Sequence, residues 1–111
     1  MAKQWLWMAV ISVWAIPALA DTHWTALQGS KLRDALVSRT LGFETGRSVG
    51  FFSDGKALRG MEWGRWWPER DQLCMDWPDH PLRCYTVSQR GIDLKFEHNG
   101  RVISARYIDL N

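Results

Sequence analysis

The clearest hydrophobic pattern in the chain is a strict alternation near its C-terminal end. Positions 92, 94 and 96 are apolar, whereas positions 93, 95 and 97 are charged. A period of two is that of a β-strand with one face in a core and the other in water. Asn99-Gly100 follows, and such pairs adopt the positive φ angles of a two-residue type I′ turn. The pattern therefore predicts a hairpin.

Similar signals divide the central part of the chain into short strands. Asp54-Gly55 predicts a second hairpin turn of the same kind, and Glu69-Arg70-Asp71 and Gly91 predict two more turns. Six or seven strands are expected, near Ser48–Ser53, Lys56–Gly60, Glu62–Trp67, Gln72–Trp77, Leu82–Ser88, Ile92–His98 and Arg101–Asp109.

A helical period precedes these strands, after an extended lead-in over residues 21–28. Positions 32, 35 and 36 are apolar and share one helical face, which predicts a helix over Ser30–Thr40. Ser30 is a plausible N-cap, and Gly42 is placed to end the helix.

These elements predict a mainly β (α+β) fold, with the short N-terminal helix packed on a curled antiparallel meander and one disulfide. Tight turns join consecutive strands into a meander, and a sheet of this size curls. The amphipathic helix covers its apolar face. The sequence leaves open whether the sheet closes into a barrel.

The first twenty residues have the layout of a secretory signal peptide. Lys3 is followed by an apolar or neutral run over Trp5–Ile16, and the segment ends in Ala18-Leu19-Ala20, an A-x-A cleavage signal. We therefore expect cleavage after Ala20 and a single β-rich domain over residues 21–111, periplasmic or secreted, with no membrane span after cleavage.

Cys74 and Cys84 are the only cysteines in the chain. An even number of cysteines in a small exported domain favours a disulfide. Closing this short loop contributes about 2–3 kcal/mol on the chain-entropy model. The alternative, a zinc site, lacks further ligands at the usual spacings.

Charge argues against a nucleic-acid partner. Lys and Arg number 14 against 12 Asp and Glu, a net charge of +2, and the two signs are interspersed. A nucleic-acid binder needs clustered positive charge to displace counterions.

Tryptophan is the most unusual feature of the composition, with eight residues in the chain. On a strand, Trp63 and Trp67 fall on one side and Trp66 on the other. An exposed Trp suits an interaction hot spot or a carbohydrate platform. We take Trp63, Trp67 and Trp77 as ligand-contact candidates, although packing around the disulfide is the favoured role of Trp66 and Trp77.

The segment between the cysteines also holds candidate catalytic groups. Asp76, Asp79 and His80 could form an acid–base pair or a weak metal site, as in a small hydrolase. The favoured alternative is a polar turn held by Pro78 and Pro81, with the acids in water.

The expected mature N-terminus, Asp21-Thr22-His23, is a candidate copper or nickel site. The α-amine, the amide nitrogens of Thr22 and His23, and the His23 imidazole supply four nitrogens, which suits the tetragonal preference of Cu(II) and Ni(II).

From Leu27 onward the chain resembles a family of small exported proteins from α-proteobacteria. The shared elements are Leu27-x-Gly29, Ser53-Asp54-Gly55, Gly64-Arg65-Trp66, Leu73-Cys74-x-x-Trp77-Pro78 and Cys84-Tyr85. The resemblance implies a secreted β-sheet domain with Cys74 paired to Cys84, and it supplies no substrate. The chain departs from the family pattern at Met75-Asp76 and in its extra Trp67.

The sequence thus favours a small exported, non-catalytic binding module over an enzyme. Its expected partner is an envelope protein, a glycan or a small apolar ligand. Copper or nickel binding at Asp21-Thr22-His23 is the first alternative, and hydrolysis by the loop between the cysteines is the second.

Overall fold

A computed structural model describes residues 23–109 of the chain. The predicted signal peptide, residues 1–20, lies outside the described residues. The elements, in chain order, are β1 (Thr25–Ala26), α1 (Ser30–Leu36), β2 (Arg39–Phe43), β3 (Ser48–Phe51), β4 (Lys56–Arg59), β5 (Glu62–Glu69), β6 (Gln72–Trp77), β7 (His80–Arg90), β8 (Asp93–His98) and β9 (Arg101–Tyr107).

The strands form a closed antiparallel barrel. Each strand from β2 to β9 pairs with the next along the chain, and β2 pairs with β9, where Leu41 lies opposite Tyr107. The short β1 is added to the distal part of β7, with Ala26 opposite Ser88. The predicted antiparallel meander is therefore confirmed, and its closure goes beyond the sequence-based expectation.

The helix prediction is correct at its start and too long at its end. α1 ends at Leu36, because Val37 is already extended and Ser38 adopts a positive φ of 61°. The Ser38 amide donates to the carbonyl of Phe51 at 2.8 Å, so sheet pairing replaces the helical period. The cap is Gly29 rather than Ser30.

The predicted helix overlaps a strand that the sequence analysis missed. Thr40 and Gly42, assigned to the helix and to its end, both lie in β2, opposite Gly50 and Ser48 of β3. The seven predicted strands are all present, with ends that differ by a few residues.

The two Asx-Gly turns differ from each other. Asn99 and Gly100 have φ angles of 51° and 79°, as a type I′ turn requires. At the other turn only Gly55 has a positive φ, so the type I′ assignment is wrong there. Its Asp54 carboxylate instead accepts a hydrogen bond from the Lys56 amide at 3.0 Å, an Asx-type turn.

One end of the barrel is covered by α1. Leu32 and Leu36 are buried against the strands, and the Tyr107 hydroxyl donates to the carbonyl of Ala35 in the last helical turn at 2.6 Å. This bond satisfies a carbonyl that a helix end leaves without a partner. Because strand direction alternates, the turns at residues 44–47, 60–61, 78–79 and 99–100 lie at the opposite end, called here the open end.

The interior is filled by the inward-facing residues of the strands. An eight-stranded barrel is just wide enough for side chains to fill it or to hold one small ligand. The core residues are Leu27, Leu32, Leu36, Leu41, Val49, Phe51, Ala57, Trp66, Leu73, Met75, Trp77, Val87, Leu94, Phe96, Ala105 and Tyr107.

Gly64 makes room for the largest of these side chains. Arg65 pairs with Asp76, so Gly64 of β5 lies beside Trp77 of β6. A Cβ atom added at Gly64 would run into the Trp77 ring and would lie 2.7 Å from the backbone oxygen of Asp76. The glycine therefore allows the indole to pack directly against the backbone of β5.

We expect Gly64→Ala to lower the free energy of unfolding by about 1–3 kcal/mol, because the added methyl group must displace the indole or the backbone. Gly50→Ala is the matched control, since a Cβ there meets its nearest neighbour, Phe52, at 3.5 Å. Urea denaturation of both variants measures the difference. Equal stabilities of the two variants would contradict the close packing of Trp77 on Gly64.

Candidate functional site

Strand β5 places its tryptophans on both faces of the barrel wall. Trp66 is buried, and its ring meets that of Phe51 edge to face at 5.4 Å. Its indole N–H donates to the carbonyl of Phe52 at 2.9 Å, so the buried polar atom is satisfied. Trp63 and Trp67 lie on the outer face, as the alternation predicts.

Trp63 is the most exposed aromatic side chain of the described residues, with 52% of its surface accessible. Its ring lies 5.6 Å from that of Phe52, which is 42% exposed. The ammonium group of Lys56 lies 6.0 Å from the centre of the Trp63 ring. The two rings form a continuous apolar patch on the wall, with a cation at its edge.

A shallow groove runs beside Trp63. It has a volume of about 460 Å³ and is lined by Lys56, Trp63, Gly64, Arg65, Asp76, Trp77 and Pro78. Arg65 and Asp76 lie opposite each other in the β5–β6 ladder, and both are exposed. Neither side chain forms an ion pair within 4 Å or a hydrogen bond with another described residue. Their polar groups are therefore free to bind a ligand. We call Phe52, Lys56, Trp63, Arg65 and Asp76 the Trp63 surface.

Trp67 lies beside the disulfide. The predicted disulfide between Cys74 and Cys84 is present, and the two residues are direct partners in the β6–β7 ladder with Cα atoms 3.9 Å apart. Cys74 is buried. It pairs with Cys84 of β7 on one side and with Trp67 of β5 on the other, so the Trp67 side chain lies on the same outer face of the barrel as the disulfide. Trp67 is half-buried and donates to Glu69 at 3.0 Å.

Trp66 and Trp77 pack in the core, as expected, but not around the disulfide. They are buried, but they point into the barrel, whereas the disulfide lies on its outer face, so they do not pack around it. Only 7% of Trp77 is exposed, and the guanidinium of Arg59 lies 4.3 Å from its ring centre. Among the three contact candidates, Trp63 alone offers an open ring face.

Arg59 is held in place at the open end by two carboxylates. Its side chain is only 10% exposed, and it donates hydrogen bonds to Glu62 and, at 2.7 Å, to Asp79. Burial opposes the charge of Arg59, but these two bonds outweigh that penalty and raise its pKa. The bond from Arg59 in turn lowers the pKa of Asp79 below its ordinary value.

The three polar residues of the loop between the cysteines do not form one site. Asp79 binds Arg59 through one oxygen, and its other oxygen lies 3.8 Å from His80 Nε2. Asp76 lines the groove beside Trp63, whereas His80 lines a cavity at the open end. A carboxylate held ionised by an arginine is a poor general acid. The arrangement does not favour the hydrolase alternative.

Of the predicted copper or nickel site, Asp21 and Thr22 lie outside the described residues, and His23 is exposed. Within residues 23–109, no group of three or more His, Cys, Asp or Glu side chains is placed to hold a metal ion.

A second cavity occupies the open end of the barrel, and the sequence analysis did not predict it. Its volume is about 460 Å³. It is lined by Thr45, Arg47, Arg59, Met75, Trp77, His80, Pro81, Arg83, Tyr85 and Ile103. Six of these residues come from the paired strands β6 and β7. Closure of the barrel brings Thr45, Arg47 and Ile103 to the same cavity.

Comparison with family models, with curated proteins and with solved structures gave no match to this chain.

In the part of the chain that the structure describes, no helix reaches the length and apolarity that crossing a bilayer requires.

The Arg59–Asp79 contact predicts a response to acid. Because the folded-state pKa of Asp79 is lowered, its ionised form stabilises the fold above the ordinary Asp value of about 3.9. That contribution disappears as the pH falls through the lower folded value. We expect the wild type to lose more unfolding free energy than Asp79→Asn between about pH 6 and pH 2, measured in urea.

The control for this measurement is Asp34→Asn, which removes an exposed carboxylate from α1. It is expected to follow the wild type. An equal loss of stability in the wild type and in Asp79→Asn would show that the contact with Arg59 does not stabilise the fold.

Proposed function

We propose that this protein is an exported, non-catalytic binding module that engages a glycan through the Trp63 surface. The observation that carries the proposal is the exposure of Trp63 beside a groove in which Arg65 and Asp76 have no ion-pair partner among residues 23–109. An exposed Trp with no role in the core is costly to leave in water, which marks a contact site.

The chemistry of the Trp63 surface fits a sugar. The apolar face of a pyranose ring stacks on an aromatic face, and the rings of Trp63 and Phe52 offer such a face. Hydroxyl groups need both donors and acceptors at the edge of the platform. Arg65 and Lys56 donate, and Asp76 accepts.

The balance of charge on the Trp63 surface favours a neutral, hydroxyl-rich ligand. Lys56 and Arg65 carry positive charge, and Asp76 carries negative charge within the same groove. A strongly anionic or cationic ligand would meet a like charge in the site, whereas a sugar hydroxyl bonds to either sign.

Export and the absence of catalysis are parts of the same proposal. The Cys74–Cys84 disulfide is compatible with an oxidising compartment outside the cytoplasm. A binding role is favoured because Arg59 lowers the pKa of Asp79, the carboxylate 3.8 Å from His80, which makes Asp79 a poor proton donor.

The test is calorimetric titration with soluble glucose and N-acetylglucosamine hexasaccharides and with solubilised peptidoglycan fragments. We expect at least one probe to bind, and Trp63→Ala to weaken it at least tenfold, or about 1.4 kcal/mol. Since about half of Trp63 is exposed, its replacement should lower the free energy of unfolding much less than the loss of a fully buried Trp would.

The matched control is Trp67→Phe, on the same strand and the same face, which keeps an aromatic ring beside the disulfide. Its affinity should equal that of the wild type. The proposal is wrong if none of the probes binds, or if Trp63→Ala and the wild type bind the same probe equally well.

Copper or nickel binding at Asp21-Thr22-His23 remains a second proposal, and the observation that favours it is the exposed imidazole of His23. We expect a chain that begins at Asp21 to bind one Cu(II) tightly in a competition titration. Addition of one residue before Asp21 moves the α-amine out of the chelate ring and should abolish tight binding. Equal affinity of the extended chain would refute this site.

A further inference from the structure

We propose that the open end of the barrel binds an anionic amphiphile, a molecule with one acidic head group and a compact apolar body. The ten residues that line the cavity there, defined above, are called the mouth. Trp77 lines both the mouth and the groove beside Trp63, but the residues proposed to contact a ligand differ, because those of the Trp63 surface lie on the outer face of the wall.

The permanently charged residues of the mouth are all arginines. Arg47, Arg59 and Arg83 line it, together with the His80 imidazole and the Tyr85 phenol, and no carboxylate is among the lining residues. Glu62 and Asp79 lie close by and together more than offset the charge of Arg59. The positive charge that attracts an anion is therefore that of Arg47 and Arg83.

Arg47 and Arg83 are the two guanidinium groups that are available to a head group. Both are exposed, and neither has a carboxylate within 4 Å among the described residues. Met75 pairs with Arg83 in the β6–β7 ladder, so Arg83 occupies an inward-facing position at the end of the wall. A guanidinium can bind carboxylate, sulfonate or phosphate oxygens with two parallel hydrogen bonds.

The rest of the mouth is apolar, and this part separates an amphiphile from a simple anion. Met75 and Trp77 are buried at its floor, and Pro81, Tyr85 and Ile103 form its sides. A volume of about 460 Å³ falls within the range of small-molecule pockets. Inorganic phosphate or sulfate would leave this apolar surface in water.

Arg59 makes the floor rigid before a ligand arrives. It is stacked on Trp77 and fixed by Glu62 and Asp79, so its side chain and the indole have little freedom left to lose. Binding to an ordered wall costs less conformational entropy than binding to mobile side chains. Arg59 is thus a positioning residue, whereas Arg47 and Arg83 contact the head group.

The probe for the test is anilinonaphthalene sulfonate, an anionic amphiphile whose fluorescence rises in an apolar site. We expect saturable binding to one site, displacement by dodecanoate, and affinity that falls with added salt. Replacing both arginines, in Arg47→Gln/Arg83→Gln, should weaken binding at least tenfold. The uncharged analogue N-phenylnaphthylamine should also bind at least tenfold more weakly than the sulfonate.

Two controls separate the mouth from other sites. Arg106→Gln removes an exposed arginine from the outer face, where it pairs with Asp93, and should bind as the wild type does. Trp63→Ala should also leave this affinity unchanged, so the mouth and the Trp63 surface can fail separately. An unchanged near-ultraviolet circular dichroism spectrum shows that each variant has kept its tertiary packing.

Three results would overturn the proposal. One is the absence of saturable probe binding to the folded wild type. The second is equal affinity in the wild type and the double arginine variant. The third is displacement of the probe by inorganic sulfate at the same concentration as by dodecanoate, which would show that the apolar walls contribute nothing.

Discussion

The pairing of β2 with β9 closes the sheet, and the core, the helix contact and the mouth all depend on it. Without that pairing, Leu41 and Tyr107 would lie on two open edges, and unpaired edges invite association with other chains. With it, the Tyr107 hydroxyl reaches the last turn of α1. The same closure brings Ile103 of β9 to the cavity that Arg47 and Tyr85 line.

The strand β2, which closes the barrel with β9, was not predicted from the sequence. The alternation and the turn residues predict the seven strands after Ser48, because those signals are local. The start of β2 was instead predicted as helix, since the sequence has no strong helix stop between Leu36 and Gly42. The hydrogen bond from Ser38 to Phe51 and the pairing of Thr40 with Gly50 decide the outcome. Such long-range pairings have no local signature.

The candidate sites differ in how far the sequence predicts them. The outward position of Trp63 follows from its odd spacing to Trp66 on one strand. The burial of Trp77 does not, because it depends on the space left by Gly64 and on the guanidinium of Arg59. The mouth has no signal at all, since its arginines come from three separate parts of the chain.

The inward-facing residues are separated from water in different ways at the two ends of the barrel. At one end α1 covers the inward-facing residues with Leu32 and Leu36. At the other end no element covers them within the described part of the chain, and the inward positions change from apolar residues to arginine. If these positions only had to face water, any polar side chain would serve, including the carboxylates that are common elsewhere on the surface. Two guanidinium groups beside an apolar floor, Arg47 and Arg83, are a more specific arrangement, since neither has a carboxylate partner among the described residues, and they suit an anion that carries its own apolar surface.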